Sequence, residues 1–549
     1  MPPSPASTSA ATFRASTSRF ARIVGFTLVT AVAMFCLVLL AVRFVLYPQI
    51  ESHRADIAAM LGRELDATVE IDTIQTGWHG WNPELLVRGF RIREDAQADP
   101  VLDLPEIRGI VSWTSLLVAD LRMRELVIER PRLSIRRDAS GRVHVAGVTL
   151  DDSRPEEGAG SMDWLLRQRL VVVHDAELLW NDEHRSAPPL HLNGVQVRLE
   201  SRFGHHRFGL RGTPPPQIAA PIDVRGDFTD ASFDDWRKAA GRLYVRLDYA
   251  DVAAWSKWIP MPVAVESGDG AMRMWFTVER GVARDVVADL ELATVRTRLR
   301  DDLPPLELAH LSGRVTWKQQ DEARTFAARG LELLERQGIA IPPTDFDLRY
   351  KVAADGAVAE GRMDIGALDV APVAVLARHF PLPVPLRDGL QRHAPRGRVT
   401  EAEYAWTGTF DAPATFRARG AFADAAAKPV DGVPGFSGWS GRFDATHAGG
   451  TLDVTTRGAA LHLPRVFAEP LAFESAAGRV EWQRKDEHTS VRVDALQFAN
   501  AHVAGTAQGS WRSAAKGPGE IDATARITRA DARNVHRYLP TVVGEDTRV

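Results

Sequence analysis

Residues Met272–Glu279 read MRMWFTVE, so that Met272, Met274, Phe276 and Val278 alternate with Arg273, Trp275, Thr277 and Glu279. A period of two is that of an extended strand, whose successive side chains point to opposite faces of a sheet. The same alternation holds upstream, where Leu243, Val245, Leu247 and Tyr249 interleave with Tyr244, Arg246 and Asp248. It holds again far downstream, at Val491 and Val493 and at Ile521, Ala523, Ala525 and Ile527. Gly, Asp and Pro turn signals separate such runs throughout. The pattern predicts a mostly β protein of antiparallel strands with one apolar and one polar face. An extended sheet of that kind must hide its apolar face by closing, by packing on a second sheet, or by curling into a groove.

Two motifs recur at nearly one period. GRVTWKQQDE begins at Gly313 and GRVEWQRKDE at Gly478, 165 residues later, each behind a Pro-Leu pair, Pro305-Leu306 and Pro470-Leu471. A strand running into aspartate, a short helical stretch and a proline occurs at Asp251 to Pro260, Asp369 to Pro381 and Asp531 to Pro540. The aspartate suits a helix N-cap and the proline a stop. Near-equal spacings of unrelated motifs point to a tandem array of stacked units. Its third copy is expected to be cut short at Val549. Trp317 and Trp482 occupy equivalent positions, with core packing as their expected role.

The N-terminus is a different kind of sequence. Ile23 to Val42 contains no charged residue over 20 positions, enough to cross a bilayer core of ~30 Å at ~1.5 Å per residue. Arg43 and Tyr47 follow, a pair suited to the headgroup level. Arg14, Arg19 and Arg22 precede the span without any acid between them, so the cationic side, residues 1–22, is expected to be cytosolic and everything after the span to lie across the membrane. The apolar run is longer than a cleavable signal core. An amphipathic helix is expected from Ile50 to Leu65. Trp78 and Trp81 beyond it are candidates for the membrane interface, with the capping of the first strands as the plainer role.

The expected layout is a tail at 1–22, an anchor at 23–47, an N-terminal β-domain at 48–149, a linker at 150–163, a β-rich segment at 164–250, and repeat units at 251–402 and 403–549. Thr213–Pro216, Gly268-Asp269-Gly270 and the paired His205-His206 read as turns. Asp182, Glu183 and His184 read as a hairpin loop, and Ala423 to Gly438 as a loop.

Composition excludes several classes. The 549 residues are 45% hydrophobic and 25% charged with a net charge of −4, which is neither a disordered chain nor a nucleic-acid binder. The single cysteine, Cys36, lies in the span, so the body has no disulfide, thiolate zinc site or cysteine nucleophile. No phosphate-binding loop, nucleophile elbow or zinc-protease motif is present. No metal, no cofactor and no enzymatic activity are expected.

Leu61 to Ile92, directly behind the anchor, resembles the start of the AsmA-like envelope proteins of Gram-negative bacteria, and of their YhdP branch in particular. Leu121 to Gly147, with Arg130-Pro131 and Gly141 in place, Trp164 to Asp182, and Arg537 to Pro540 resemble further segments of that branch. The resemblance implies a periplasmic protein, single-pass in the inner membrane, whose curled β-sheet groove carries phospholipid between inner and outer membranes. It implies no catalytic residue or metal. The chain is shorter than typical members and lacks their C-terminal region.

The groove candidates are the apolar halves of the clearest strands: Leu243, Val245, Leu247, Met272, Met274, Phe276, Val278, Leu290 and Leu292. The expected partners are membrane lipids. The alternative is a non-enzymatic scaffold or regulatory factor in envelope assembly that binds protein partners.

Overall fold

The computed structural model describes residues 11–538 except 66, 94–98, 114, 116–119, 146–147, 151–158, 230–237, 262, 354–355, 431–432, 468, 486–487 and 515–518. Pro540 and most of the stretch expected as a linker lie outside the described residues. Strand accounts for 64% of the chain and helix for 16%, so the protein is mostly β. It divides into two compact units that meet in sequence at Gly212 and Thr213.

The first unit opens with the helix Ala11–Ala41, continued by a π-helical turn, Val42–Leu46. Within it Ile23–Val45 is a run of 23 residues long and apolar enough to cross a membrane. Two short helices, Tyr47–Ser52 and Arg54–Leu65, follow where one amphipathic helix is predicted. The strands Thr68–Glu70 and Thr73–His79 both pair with Asn82–Arg93, which pairs in turn with Leu102–Val111 and that with Met123–Glu129, all antiparallel. The next neighbour departs from expectation. Leu170–Asp182 runs parallel to both Met123–Glu129 and Arg132–Arg137. A parallel neighbour requires a long crossover, and here it includes two short strands and the helix Ala159–Arg167. Arg130-Pro131 breaks the middle strand. Arg130 has φ +49° and donates its N–H to the His174 carbonyl at 2.8 Å, while Pro131, which has no N–H, only accepts, from Glu177 N at 2.9 Å.

The second unit is simpler. Sixteen described strands, from Ile222–Thr229 to Glu520–Ala530, each pair antiparallel with the next in sequence. One margin of this meander carries short turns, such as Arg280-Gly281 between Glu279 and Val282. The other carries the helical inserts. Val252–Trp255 follows Asp251, whose Oδ1 accepts from Ala254 N at 2.8 Å as an N-cap. Val370–Leu376 follows Asp369, which has the extended N-cap backbone but makes no side-chain cap bond. Ala532–Tyr538 follows Asp531, whose Oδ1 accepts from Arg533 N at 3.1 Å. The first two inserts fold onto the apolar face. Val252 and Leu376 join Leu292, Val295, Leu306, Leu308 and Ile341 in the main core of this unit. Burying a leucine as fully as Leu376 contributes about 2–3 kcal/mol.

Two turn readings and one loop reading are corrected. Gly268, Asp269 and Gly270 lie inside one strand, Ala264–Glu279. A Cβ on Gly270 would come within 2.1 Å of the Glu291 carbonyl oxygen, so these glycines permit close approach of the next strand rather than a reversal. His205 and His206 begin the strand His205–Thr213. The strands Pro413–Ala427 and Gly435–Thr446 take up most of the expected loop at Ala423 to Gly438, because the alanine run pairs across bulges.

Candidate functional site

Following the register of the second unit from strand to strand gives an unbroken row of side chains on one face. Leu243 faces Phe276, Phe276 faces Val286, Val286 faces Trp317, and Trp317 faces Phe326. The line continues through Leu348, Met363 and Tyr404, then through Ala418, Ala445 and Gly450. It ends on Trp482, Val491, Trp511 and Ile521. No charged or amide side chain interrupts it. At ~4.8 Å per strand the row is about 70 Å long, more than twice the thickness of a bilayer core. A parallel row two residues along each strand runs through Val245, Met274, Ala288, Val315, Ala328, Phe346 and Ile365.

All nine groove candidates share this face. Leu243 and Phe276 are opposite one another, as are Val245 and Met274, and Leu247 and Met272; Met272 also faces Leu290. Val278 follows Phe276 opposite Gly241, and Leu292 faces Gly270. They differ in depth. Leu247 and Leu292 are buried, and Met272 and Leu290 pack against the core under the helical inserts. Leu243, Val245, Met274, Phe276 and Val278 are only half-buried. The apolar face is therefore closed at the helical margin and partly open toward the margin of short turns.

The opposite face is an ion-pair ladder. Arg314 binds Asp289 through Nε at 2.5 Å and Nη2 at 2.8 Å, and Arg479 binds Asp453 at 2.6 and 3.0 Å. Arg417 grips Asp444 in the same way, at 2.9 and 2.6 Å, and Arg329 puts Nη2 2.8 Å from both oxygens of Asp347. Hydrogen bonds from these arginines hold the Asp289, Asp444 and Asp453 carboxyls below the usual carboxylate range. A polar hollow of about 790 Å³ on this face is lined by Arg329, Asp347, Asp364, Glu403, Arg419 and Asp444, among others. General acid catalysis needs a carboxyl raised toward neutrality, and Asp444 here is pushed the other way. Among the described residues no group of three His, Cys, Asp or Glu side chains could hold a metal.

The membrane-interface candidates cluster in the first unit. The Arg43 guanidinium lies 5.7 Å from the Trp78 ring and 5.9 Å from that of Phe44. Trp78 is 6.4 Å from Trp113, which meets Phe35 edge-on at 5.2 Å. Trp113 Nε1 donates to the Trp81 carbonyl at 3.0 Å, and the Trp81 side chain is 77% exposed, so it does not cap a core. Tyr47 begins the helix Tyr47–Ser52; its side chain lies outside the described residues.

The sequence located the apolar face on three strands, and the row itself at Leu243 and Phe276, and missed its continuation through Val286, Phe326, Leu348, Met363 and Trp511. The available signal was the equivalence of Trp317 and Trp482, both half-buried members of the row rather than deep core.

A model of the YhdP protein family matches residues 11–549. Neither the curated proteins nor the solved structures include a match to the chain. An apolar helix, a repetitive antiparallel meander and a family match over nearly its whole length agree: the chain belongs to the YhdP family.

Proposed function

We propose that this protein is a non-enzymatic carrier of phospholipid, held in the inner membrane by its N-terminal helix with its tail in the cytosol, and that its periplasmic β-body conveys acyl chains toward the outer membrane. The observation that carries the reading is the apolar row from Leu243 to Ile521. It is continuous over fifteen strands and only partly buried from Leu243 to Trp511, with Ile521 exposed at its end. A row that served only as core would be buried under a second layer. A half-open row is an apolar path through water, with the charged ladder as its outer wall. Family membership is compatible with lipid transport and adds to the reading.

The test is photo-crosslinking in cells with a probe at Phe276, on the row, and at Thr277, whose neighbours across the strands are Arg242 and Asp285. Labelled phospholipid at Phe276 and not at Thr277 is expected. A discrete protein adduct at Phe276 without lipid would replace the carrier by an assembly scaffold. A charge at Phe276 is expected to block lipid passage more than one at Thr277; equal defects at equal folded level would remove the assignment of faces.

A further inference from the structure

The two margins of the first unit differ in a way that the carrier reading does not use. Three chain reversals lie side by side at one margin: the hairpin tip between His79 and Asn82, the connection from Val111 to Met123, and the two-residue turn Phe203-Gly204. Register places them together, because Glu84 faces Ile110, Val111 faces Met123, Leu126 runs parallel to Val171, and Leu170 faces Glu200. Beyond the helices, the exposed large hydrophobic residues among the described residues of this unit are Trp81, Leu121 and Phe203. One sits at each reversal. At the opposite margin the connection after Asp182 exposes Glu183, His184 and Arg185 instead.

The apolar margin is also where the spanning helix docks. Phe35 meets Trp113, and Arg43 covers Trp78. Those two helix positions lie eight residues apart, about 12 Å along the axis. The contact therefore covers part of the length that crosses a bilayer. A backbone segment touching lipid must satisfy its own polar groups. The connection beside Trp113 does so at its base: Ser112 N donates to Arg122 O at 2.9 Å, Ser115 Oγ donates to Arg122 O at 2.8 Å, and Arg122 N donates to Ser115 Oγ at 2.8 Å.

We infer that this margin is a second membrane contact. Trp81, Leu121 and Phe203 seat in the acyl and headgroup region of the leaflet at the C-terminal end of the spanning helix, with Trp113 deeper than Trp78. The first unit is then held against the bilayer at several points rather than by a single tether. Tryptophan and phenylalanine suit that depth, where an amphipathic or apolar ring meets partly hydrated lipid. The inference stands whether or not lipid travels along the second unit.

The experiment uses the full chain in phosphatidylethanolamine–phosphatidylglycerol vesicles, with Cys36→Ser and one new cysteine bearing an environment-sensitive fluorophore. Probes at Trp81→Cys and Phe203→Cys are expected to emit to the blue, to be quenched by bromine-labelled acyl chains, and to resist aqueous iodide several-fold better than a probe at Glu183→Cys on the far margin. Iodide quenching at 81 and 203 equal to that at 183, with the helix inserted and the body folded by protease resistance, would overturn the inference and leave the patch as a protein-facing surface. A second variant guards against misfolding by the probe. Trp81→Glu with Phe203→Glu is expected to expose a probe at Leu121→Cys to iodide while the chain stays in the membrane fraction. A Leu121 probe that keeps its protection in that variant would also overturn it.

Discussion

The copies of the repeat beginning at Pro305 and Pro470 keep their geometry while exchanging many side chains. Gly313 and Gly478 sit at a register shift against the next strand, and a Cβ on either would come within 2.9 Å of a leucine Cα, that of Leu331 or of Leu496. Just before each leucine the backbone turns left-handed, at Gly330 with φ +58° and at Ala495 with φ +48°. Four positions later a buried polar side chain ties the turn. Glu335 Oε2 accepts from Gln337 N at 2.7 Å, and Asn500 Oδ1 accepts from His502 N at 2.9 Å. The bulge and its tied turn are what the repeat preserves, and either a glycine or a strained alanine, a carboxylate or an amide, can build them. The tryptophans differ more. Trp317 stands beside Val286, whereas Trp482 lies against Gly450, where a Cβ would come within 2.5 Å of its ring.

Breaking the bulge should give the largest effect. Gly313→Val, which loses both the close approach and a backbone at φ +138°, is expected to destabilise the second unit by about 2–3 kcal/mol, and Gly478→Val, with the close approach alone, by about 1–2 kcal/mol. Urea unfolding followed by tryptophan emission reads both, and a larger loss at Gly478 would show that sterics alone set the bulge.

Next come the ties. Glu335→Ala and Asn500→Ala each strand a turn amide, at about 1–2 kcal/mol. Asn500 has more to lose, because its amide also donates to Ala472 O at 2.8 Å and Tyr538 Oη at 2.9 Å. Equal losses in the two copies would mean that those extra bonds contribute nothing.

Exchanging the left-handed residues sharpens the comparison. Gly330→Ala is expected to destabilise and Ala495→Gly to stabilise, each by roughly 0.5–1 kcal/mol, since only the alanine carries the left-handed penalty. Changes of the same sign in thermal midpoint would refute the equivalence of the two positions.

The smallest effect separates Asp289 from Asp453. Each carboxyl is held below its unfolded value, near 3.9, by its arginine. The stabilisation is therefore fully present above about pH 4 and is lost as pH falls through the folded value. Asp289→Asn and Asp453→Asn should both flatten the acid side of the stability profile. Asp289 should matter more, because its side chain is 31% exposed and that of Asp453 is 47% exposed, where solvent screens the pair.

Much of this was legible in the sequence. Period-two alternation identified the strands and their apolar halves, and the repeated motifs marked the equivalent glycines and tryptophans. Register was not legible, because a pairing depends on bulges such as those at Gly313 and Thr294, which leave no mark on the hydrophobic pattern. The misreading of Gly268 and Gly270 has the same origin: a glycine that lets two backbones approach looks in sequence like one that reverses the chain. The parallel strand at Leu170–Asp182 was hidden for another reason, since its apolar pattern does not state direction. Alternation separates two faces, but which residues are covered depends on the helical inserts, whose packing over Leu292 and Leu306 leaves no mark on the period.

The strand order of the second unit bears on how the chain reaches its native state. Each strand finds its partner in the strand just made, so the meander can grow by adding hairpins in order as the polypeptide emerges, with little loop entropy lost at each step. The first unit has no such freedom, because Val171 must find Leu126 across a crossover of more than forty residues. The slow step of folding is expected in the N-terminal unit, and the long sheet that follows it in sequence is free to zip.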